Sequence, residues 1–205
     1  MQDYITIQGD AVAEIEEKRS KFIANVSFVD SEEKALQFLD TIRAEHRTAR
    51  HHVYAYVLRE GNRIRYSDDG EPAKTAGLPV LEVIQHAGVT DCIIVVTRYF
   101  GGTLLGTGGL VRAYTASASA GLQAAKIVTV RSCVSVQICL EYSLYERATL
   151  LFEAAGARLK EPIFSDTVLL EGILPAGQET ELLLQLQELT RGGQAAVSEP
   201  FYLPF

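Results

Sequence analysis

A glycine-rich stretch between two arginines is the most unusual feature of the sequence. Backbone N–H groups of such a loop, with the first turn of a following helix, can bind an anion, and Arg98 and Arg112 can add charge-assisted hydrogen bonds. Neither the Walker pattern nor GxGxxG is matched. Two interpretations stay open: an anion-binding loop, or a tight turn with close helix–sheet packing. The five glycines are Gly101, Gly102, Gly106, Gly108 and Gly109.

A second stretch places three carboxylates within four consecutive positions, at Asp68, Asp69 and Glu71. Its Asp, Gly and Pro residues are typical of a loop, so a structural turn is our first interpretation. Pairing with an arginine of the glycine-rich stretch is the second, and binding of a divalent cation by the carboxylates is the third. We expect this loop, with Lys74 behind it, to support the glycine-rich stretch, and we predict no bound metal or cofactor.

Two adjacent histidines, His51 and His52, stand in a segment that alternates like a strand. On a strand they point to opposite faces, so they do not jointly ligate one metal ion. We place His51 with the supporting loop and predict no catalytic residue. The three cysteines lie in predicted strands, and we interpret them as buried small hydrophobes.

Composition restricts the class of protein. The chain has 205 residues, of which 47% are hydrophobic and 22% charged, and these values are typical of a folded protein. We expect a cytoplasmic protein without a membrane segment, because no long apolar run or secretory signal is present and the sparse cysteines form no CxxC pair. The net charge of −7 argues against a generally basic surface for nucleic acid. Residues 1–130 carry −2 of it and residues 131–205 carry −5, so any such contact is a local patch in the first part.

Hydrophobic periodicity predicts an α+β fold. In the first part we expect a strand pair around Gly9 and a strand at 21–29, then a helix capped by Ser31 and a hairpin turned at 61–62. A helix over about 75–86, with Thr75 as its cap, a strand buried on both faces from Cys92 and a helix after Gly109 follow.

The last 75 residues change in character. Strands at 134–140, 157–164, 167–174 and 194–203 alternate with helices at 143–155 and 177–190, which gives the order βαββαβ of ferredoxin-like folds. We therefore predict one domain over 1–130 and a second over 131–205, with the strand that leaves the first continuing into the second.

Four motifs, in this order and spacing, resemble the YigZ/IMPACT family. They are Lys18–Ala24, Ala49–Tyr56, Ser67–Gly77 and Thr97–Tyr114. The resemblance implies that the first domain is similar to the second domain of ribosomal protein S5. It also implies that the second domain is ferredoxin-like and similar to the last domain of elongation factor G. Lys74 departs from the family pattern, which usually has a small residue there.

The resemblance points to translation, since eukaryotic relatives regulate it through a domain that this sequence lacks. Our leading hypothesis is a non-enzymatic regulatory protein that binds RNA, the ribosome or a translation partner through the Gly/Arg loop. A second is an enzyme acting on a small phosphorylated or carboxylated ligand, with His51 and the acidic loop as acid and base. A third is a protein-interaction module with purely structural motifs, in which Arg98 is buried in an ion pair. The sequence leaves the oligomeric state open.

Overall fold

A computed structural model describes residues 3–205, which divide into two compact units. One unit is Tyr4–Thr129, and the other comprises Asp3 and Val130–Phe205. Each unit packs helices against an antiparallel sheet around its own hydrophobic core. The predicted mixed α+β class is therefore confirmed.

The first unit is built on an antiparallel sheet of five strands. Its strand order is β2-β3-β6-β4-β5, and its strands are β2 (Ala11–Glu17), β3 (Ser20–Phe28), β4 (His51–Leu58), β5 (Arg63–Ser67) and β6 (Cys92–Tyr99). The strand β1 (Tyr4–Gln8) forms a bridge at Ile5 to Val89 and does not pair with β2 as a hairpin. Three helices cover the sheet: α1 (Glu32–Glu45), α2 (Gly77–His86) and α3 (Thr107–Ala124).

The central strand β6 is buried on both faces, as its continuous apolar run predicts. Ile94 and Val96 face the core shared with α2 and α3. Ile93 and Val95 face the core beneath α1. Because side chains alternate along a strand, Arg98 continues the first of these two faces.

The predicted helix starts have different outcomes. Ser31 caps α1 as predicted, since its Oγ accepts a hydrogen bond from the backbone N–H of Lys34 at 3.3 Å. The prediction that Thr75 caps α2 is wrong, because its hydroxyl donates to the Pro72 carbonyl at 2.7 Å. Helix α3 begins at Thr107, three residues before the start predicted after Gly109, because Gly106 ends the loop with a positive φ of 72°.

From β7 (Lys126–Leu140) onward, whose first four residues belong to the first unit, long and short strands alternate with two helices. After β7 come α4 (Tyr145–Ala154), β8 (Arg158–Leu159), β9 (Ile163–Phe164), β10 (Val168–Pro175), α5 (Glu179–Leu189), β11 (Ala196–Val197) and β12 (Phe201–Pro204). β7 pairs with β10 and with β11 and β12, and β10 also pairs with β8 and β9. As predicted, the strand that leaves the first part of the chain is continuous, because β7 includes Thr129 and Val130.

Two predicted strands of this unit are each divided into two short ones. Pro162 lies between β8 and β9, and Pro200 lies between β11 and β12. A proline has no N–H to donate to a strand ladder, so pairing is interrupted at these positions.

The three cysteines differ in burial. Cys92 and Cys133 are buried as predicted, but Cys139 is exposed, because it alternates along β7 with the buried Ile138 and Leu140. Of the helices between residues 3 and 205, none combines the length and apolar character needed to cross a membrane.

Candidate functional site

Strand register brings the predicted site residues to one end of the five-stranded sheet. At this end β6 finishes and β4 begins, with His51 opposite Arg98. The turn between β2 and β3 lies at the same end, because Lys21 is opposite Tyr99. The acidic loop, the glycine-rich loop and the start of α3 therefore surround this end of the sheet.

Arg98 is held in a buried ion pair. Its Nη1 lies 2.6 Å from Glu71 Oε1, and the two side chains are 7% and 5% exposed. The Tyr114 hydroxyl donates to the same carboxylate at 2.8 Å. Burial, reinforced by the Glu71 charge, raises the pKa of Tyr114, so this hydroxyl stays protonated. This is the arrangement that the third hypothesis predicts for Arg98.

Asp68 organises the start of α2. Its Oδ1 accepts hydrogen bonds from the backbone N–H groups of Ala76 (3.0 Å) and Gly77 (2.8 Å), and its Oδ2 accepts one from that of Lys74 (2.8 Å). The N–H groups of Ala76 and Gly77 would otherwise be unpaired at the helix N-terminus, and a carboxylate is favoured there. Asp68 thus takes the capping role that the sequence assigned to Thr75.

Asp69 joins the acidic loop to β4. Its carbonyl oxygen accepts a hydrogen bond from Nδ1 of His51 at 2.8 Å, and its carboxylate accepts one from the backbone N–H of His52 at 2.6 Å. Arg43 of α1 also pairs with this carboxylate at 3.4 Å. The structure therefore brings His51 and the three acidic residues together, and it engages every one of these carboxylates within the protein.

The glycine-rich loop packs closely against the β2–β3 turn. A Cβ on Gly101 would lie 2.0 Å from the carbonyl group of Arg19, so only glycine fits there. The Gly101 N–H also donates to Ser20 Oγ at 3.2 Å. Gly102 and Gly106 have positive φ angles of 83° and 72°, whereas Gly108 lies in the first turn of α3 in ordinary helical conformation.

The first turn of α3 is open at the end of this loop. No side chain of the described residues caps this helix, and Gly106, Thr107 and Gly108 are exposed. Gly109 is partly covered, and a Cβ there would approach Leu105 to 2.9 Å. The exposed Arg112 lies one turn further along.

Five exposed cations gather around these loops, and we call them the cationic edge. None has a carboxylate within ion-pair distance in the part of the chain that the structure describes, and they are Lys18, Arg19, Arg50, Lys74 and Arg112. In contrast, Lys34 pairs with Asp30, and Arg63 and Arg65 both pair with Glu32. The cationic edge therefore presents five positive groups without an ion-pair partner among residues 3–205, beside the exposed Glu16 and Glu17, on a chain whose net charge is −7.

Three contributors to this site were missed by the sequence reasoning as individual residues. Ser20 and Tyr114 hold Arg98, Glu71 and Gly101 in place. Phe100 is an aromatic residue that is 52% exposed beside the glycines. Tyr114 could have been found from its spacing, because it lies one turn after Leu110 on the buried face of α3. Among the described residues no group of three His, Cys, Asp or Glu side chains could hold a metal ion.

The chain is similar to known proteins in both sequence and structure. Residues 18–122 match the family model described as the Impact N-terminal domain. IMPACT family member YvyE of Bacillus subtilis is 34% identical, over 94% of this chain and 89% of its own length. IMPACT family member YigZ of Escherichia coli is 36% identical, over 85% of this chain and 87% of its own. A crystal structure of a protein described as hypothetical superposes with a TM-score of 0.62 at 31% identity, over 100% of this chain and 98% of that one.

Proposed function

The chain belongs to the IMPACT family, and from that membership we propose that it is a cytoplasmic, translation-associated protein that binds RNA along the cationic edge. The observation that carries this proposal is the grouping of five exposed cations around the glycine-rich loop. Phosphate groups of RNA are the complementary charge, and neutralising them supplies most of the sequence-independent affinity for nucleic acid.

The open first turn of α3 supports the same proposal. Its backbone N–H groups and the positive end of the helix dipole favour an anion, and Arg112 can add a bidentate contact to one phosphate. In this proposal Arg98 positions the acidic loop and does not itself contact RNA, because Glu71 already occupies it.

The bonding of the acidic loop favours RNA binding over an enzyme acting on a small ligand. The Asp68 carboxylate is occupied by three backbone N–H groups, and that of Glu71 by Arg98 and Tyr114. An apolar groove of about 430 Å³ between α2 and α3 is lined by residues such as Val83 and Leu122 and contains none of the predicted site residues.

We also propose the domain relationships that the resemblance implies. With β8 and β9 counted as one divided strand and β11 and β12 as another, the element order of residues 131–205 is β-α-β-β-α-β. This order, in which β7 and β10 pair centrally, supports a ferredoxin-like second domain. Helices on both faces of the five-stranded sheet are compatible with a first domain, over 1–130, similar to the second domain of ribosomal protein S5.

A salt titration with a labelled RNA tests the RNA-binding proposal. We expect a triple variant, Arg19→Gln, Arg50→Gln and Arg112→Gln, to bind more weakly than wild type at low salt. The slope of log affinity against log salt should become shallower by about 0.7 for each phosphate group that the variant no longer neutralises.

The matched control removes the same charge from paired positions, through Lys34→Gln, Arg63→Gln and Arg65→Gln. It should keep the wild-type salt slope. Equal weakening by both triple variants would show that only net charge matters, and the cationic edge would then not be the site. Circular dichroism checks that both variants are folded. Co-sedimentation of the protein with ribosomes tests whether its RNA ligand is ribosomal.

A further inference from the structure

Phe100 places an exposed aromatic ring beside the cationic edge. It directly follows β6, and 52% of the residue is exposed. Leu104, in the same glycine-rich loop, is a second exposed apolar residue, with 83% of it exposed. A ring of this size is normally buried, because covering it contributes much to stability. An uncovered ring among exposed cations therefore marks a surface suited to a partner that is both anionic and aromatic.

The backbone on either side fixes the position of this ring. The Arg98 guanidinium lies over the ring, with Cζ 5.6 Å from the ring centroid, and Arg98 is itself fixed by Glu71. Gly101 is tied to Ser20 and packs against the Arg19 carbonyl. One face of the Phe100 ring is therefore held against a fixed cation. Because the ring is already ordered, a ligand that contacts its exposed surface loses little binding free energy to ordering of this side chain.

We propose that Phe100 stacks on an unpaired base, so that the RNA bound along the cationic edge is single-stranded. This inference rests on the proposed RNA-binding function and specifies its substrate. Aromatic stacking of bases combined with a positively charged track is the general mode of single-strand recognition. In a duplex the faces of the bases are covered by their neighbours, so Phe100 would find no partner there.

Charge separates this surface from the other exposed aromatic cluster of the chain. Phe164 is 54% exposed and packs near Tyr142 and Tyr145, in a neighbourhood that includes Glu141 and Glu146. Those carboxylates would repel a phosphate backbone. Phe164 therefore provides a control with matched side chain and exposure that lies outside the cationic edge.

The test compares three ligands of equal length: single-stranded oligoadenylate, its duplex with the complementary strand, and an abasic strand with the same sugar–phosphate backbone. We expect wild type to prefer the single strand to the abasic strand by about 5- to 150-fold, the range for stacking of one base. The variant Phe100→Leu should bind the single strand as weakly as the abasic one, with unchanged affinity for the abasic strand. Phe100→Tyr, which keeps the ring, should retain the preference, as should Phe164→Leu.

The outcomes separate this inference from the proposed function. If wild type binds all three ligands equally, prefers the duplex, or keeps its full affinity for the single strand in Phe100→Leu, the stacking role is overturned while RNA binding stands. If wild type binds none of them at low salt, both proposals fail. Thermal unfolding of Phe100→Leu is run in parallel. If the leucine variant is unstable, the wild-type comparison of the intact with the abasic strand still decides, because equal binding of these two strands overturns stacking.

Discussion

Arg98 Nη1 lies 2.6 Å from Glu71 Oε1, and this ion pair joins the end of the central strand to the acidic loop. Both side chains are more than nine-tenths buried. The Tyr114 hydroxyl from α3 binds the same carboxylate, so one ion pair connects a strand, a loop and a helix.

Breaking the ion pair should be costly. We expect Glu71→Gln to lower the free energy of unfolding by about 3–5 kcal/mol, because it leaves the Arg98 charge buried without a counterion. Urea unfolding followed by circular dichroism measures this change. Glu14→Gln is the matched control, since it breaks the exposed pair of Lys21 and Glu14 at 2.6 Å and should change stability little. If the two substitutions lowered the free energy of unfolding equally, the Arg98 guanidinium would have to become solvated when Glu71 is replaced by a neutral residue.

Asp68 should stabilise α2 through its backbone contacts. We expect Asp68→Ala to cost about 1–2 kcal/mol of unfolding free energy, because three N–H groups lose their acceptor. Asp68→Asn should cost less, since its remaining carbonyl oxygen can still accept from Ala76 and Gly77. Hydrogen exchange at these two amides provides a local measurement. Unchanged protection in the alanine variant would contradict the capping role.

The glycines of the loop should differ sharply in their tolerance of a methyl group. Gly101→Ala forces a Cβ to 2.0 Å from the Arg19 carbonyl group, so the β2–β3 turn must move. We expect a clear fall in melting temperature and weaker RNA binding. At Gly108, which lies in a helix, an added Cβ would have Arg112 Nη1 as its nearest atom, at 3.7 Å. Gly108→Ala should leave the free energy of unfolding unchanged or raise it by up to about 1 kcal/mol. A similar loss of stability in both variants would contradict the close contact between Gly101 and the Arg19 carbonyl group.

His52 should make stability depend on pH. Burial lowers the pKa of its imidazole below the ordinary 6.5, although the Asp69 carboxylate acts in the opposite direction. Well above pH 6.5 the imidazole is neutral in both the folded and the unfolded protein. As the pH falls through 6.5 toward the lowered pKa, mainly the unfolded chain gains this proton. Unfolding free energy should therefore decline across that window, and His52→Gln should reduce the decline.

Glu32 also makes stability depend on pH, but in a lower pH range than His52. Hydrogen bonds from Tyr56 and Arg65 lower the pKa of Glu32 below the ordinary 4.5. Its contribution is present above pH 4.5 and is lost only as the pH falls further toward the lowered value. A decline above pH 5 that persists unchanged in His52→Gln would assign the effect to groups other than His52.

The sequence by itself determined the family, the α+β class and most element positions. Ser31 and the acidic residues after it specify the start of α1 through local hydrogen bonding and the helix dipole. The apolar run from Cys92 specifies a central strand because only a strand covered on both faces tolerates it. These signals are local, or involve periodicity along one element, and one sequence is sufficient to interpret them.

The tertiary structure alone decided which site residues are available to a ligand. Arg98 and Arg112 are the same residue type beside the same glycines, but one is buried against Glu71 and the other is exposed. Asp68 caps α2 from nine residues before its first residue, and sequence rules that look for a cap beside the helix selected Thr75 instead. Burial and long-range hydrogen bonds depend on which segments fold against each other, and that pairing is not encoded in the spacing of any single motif.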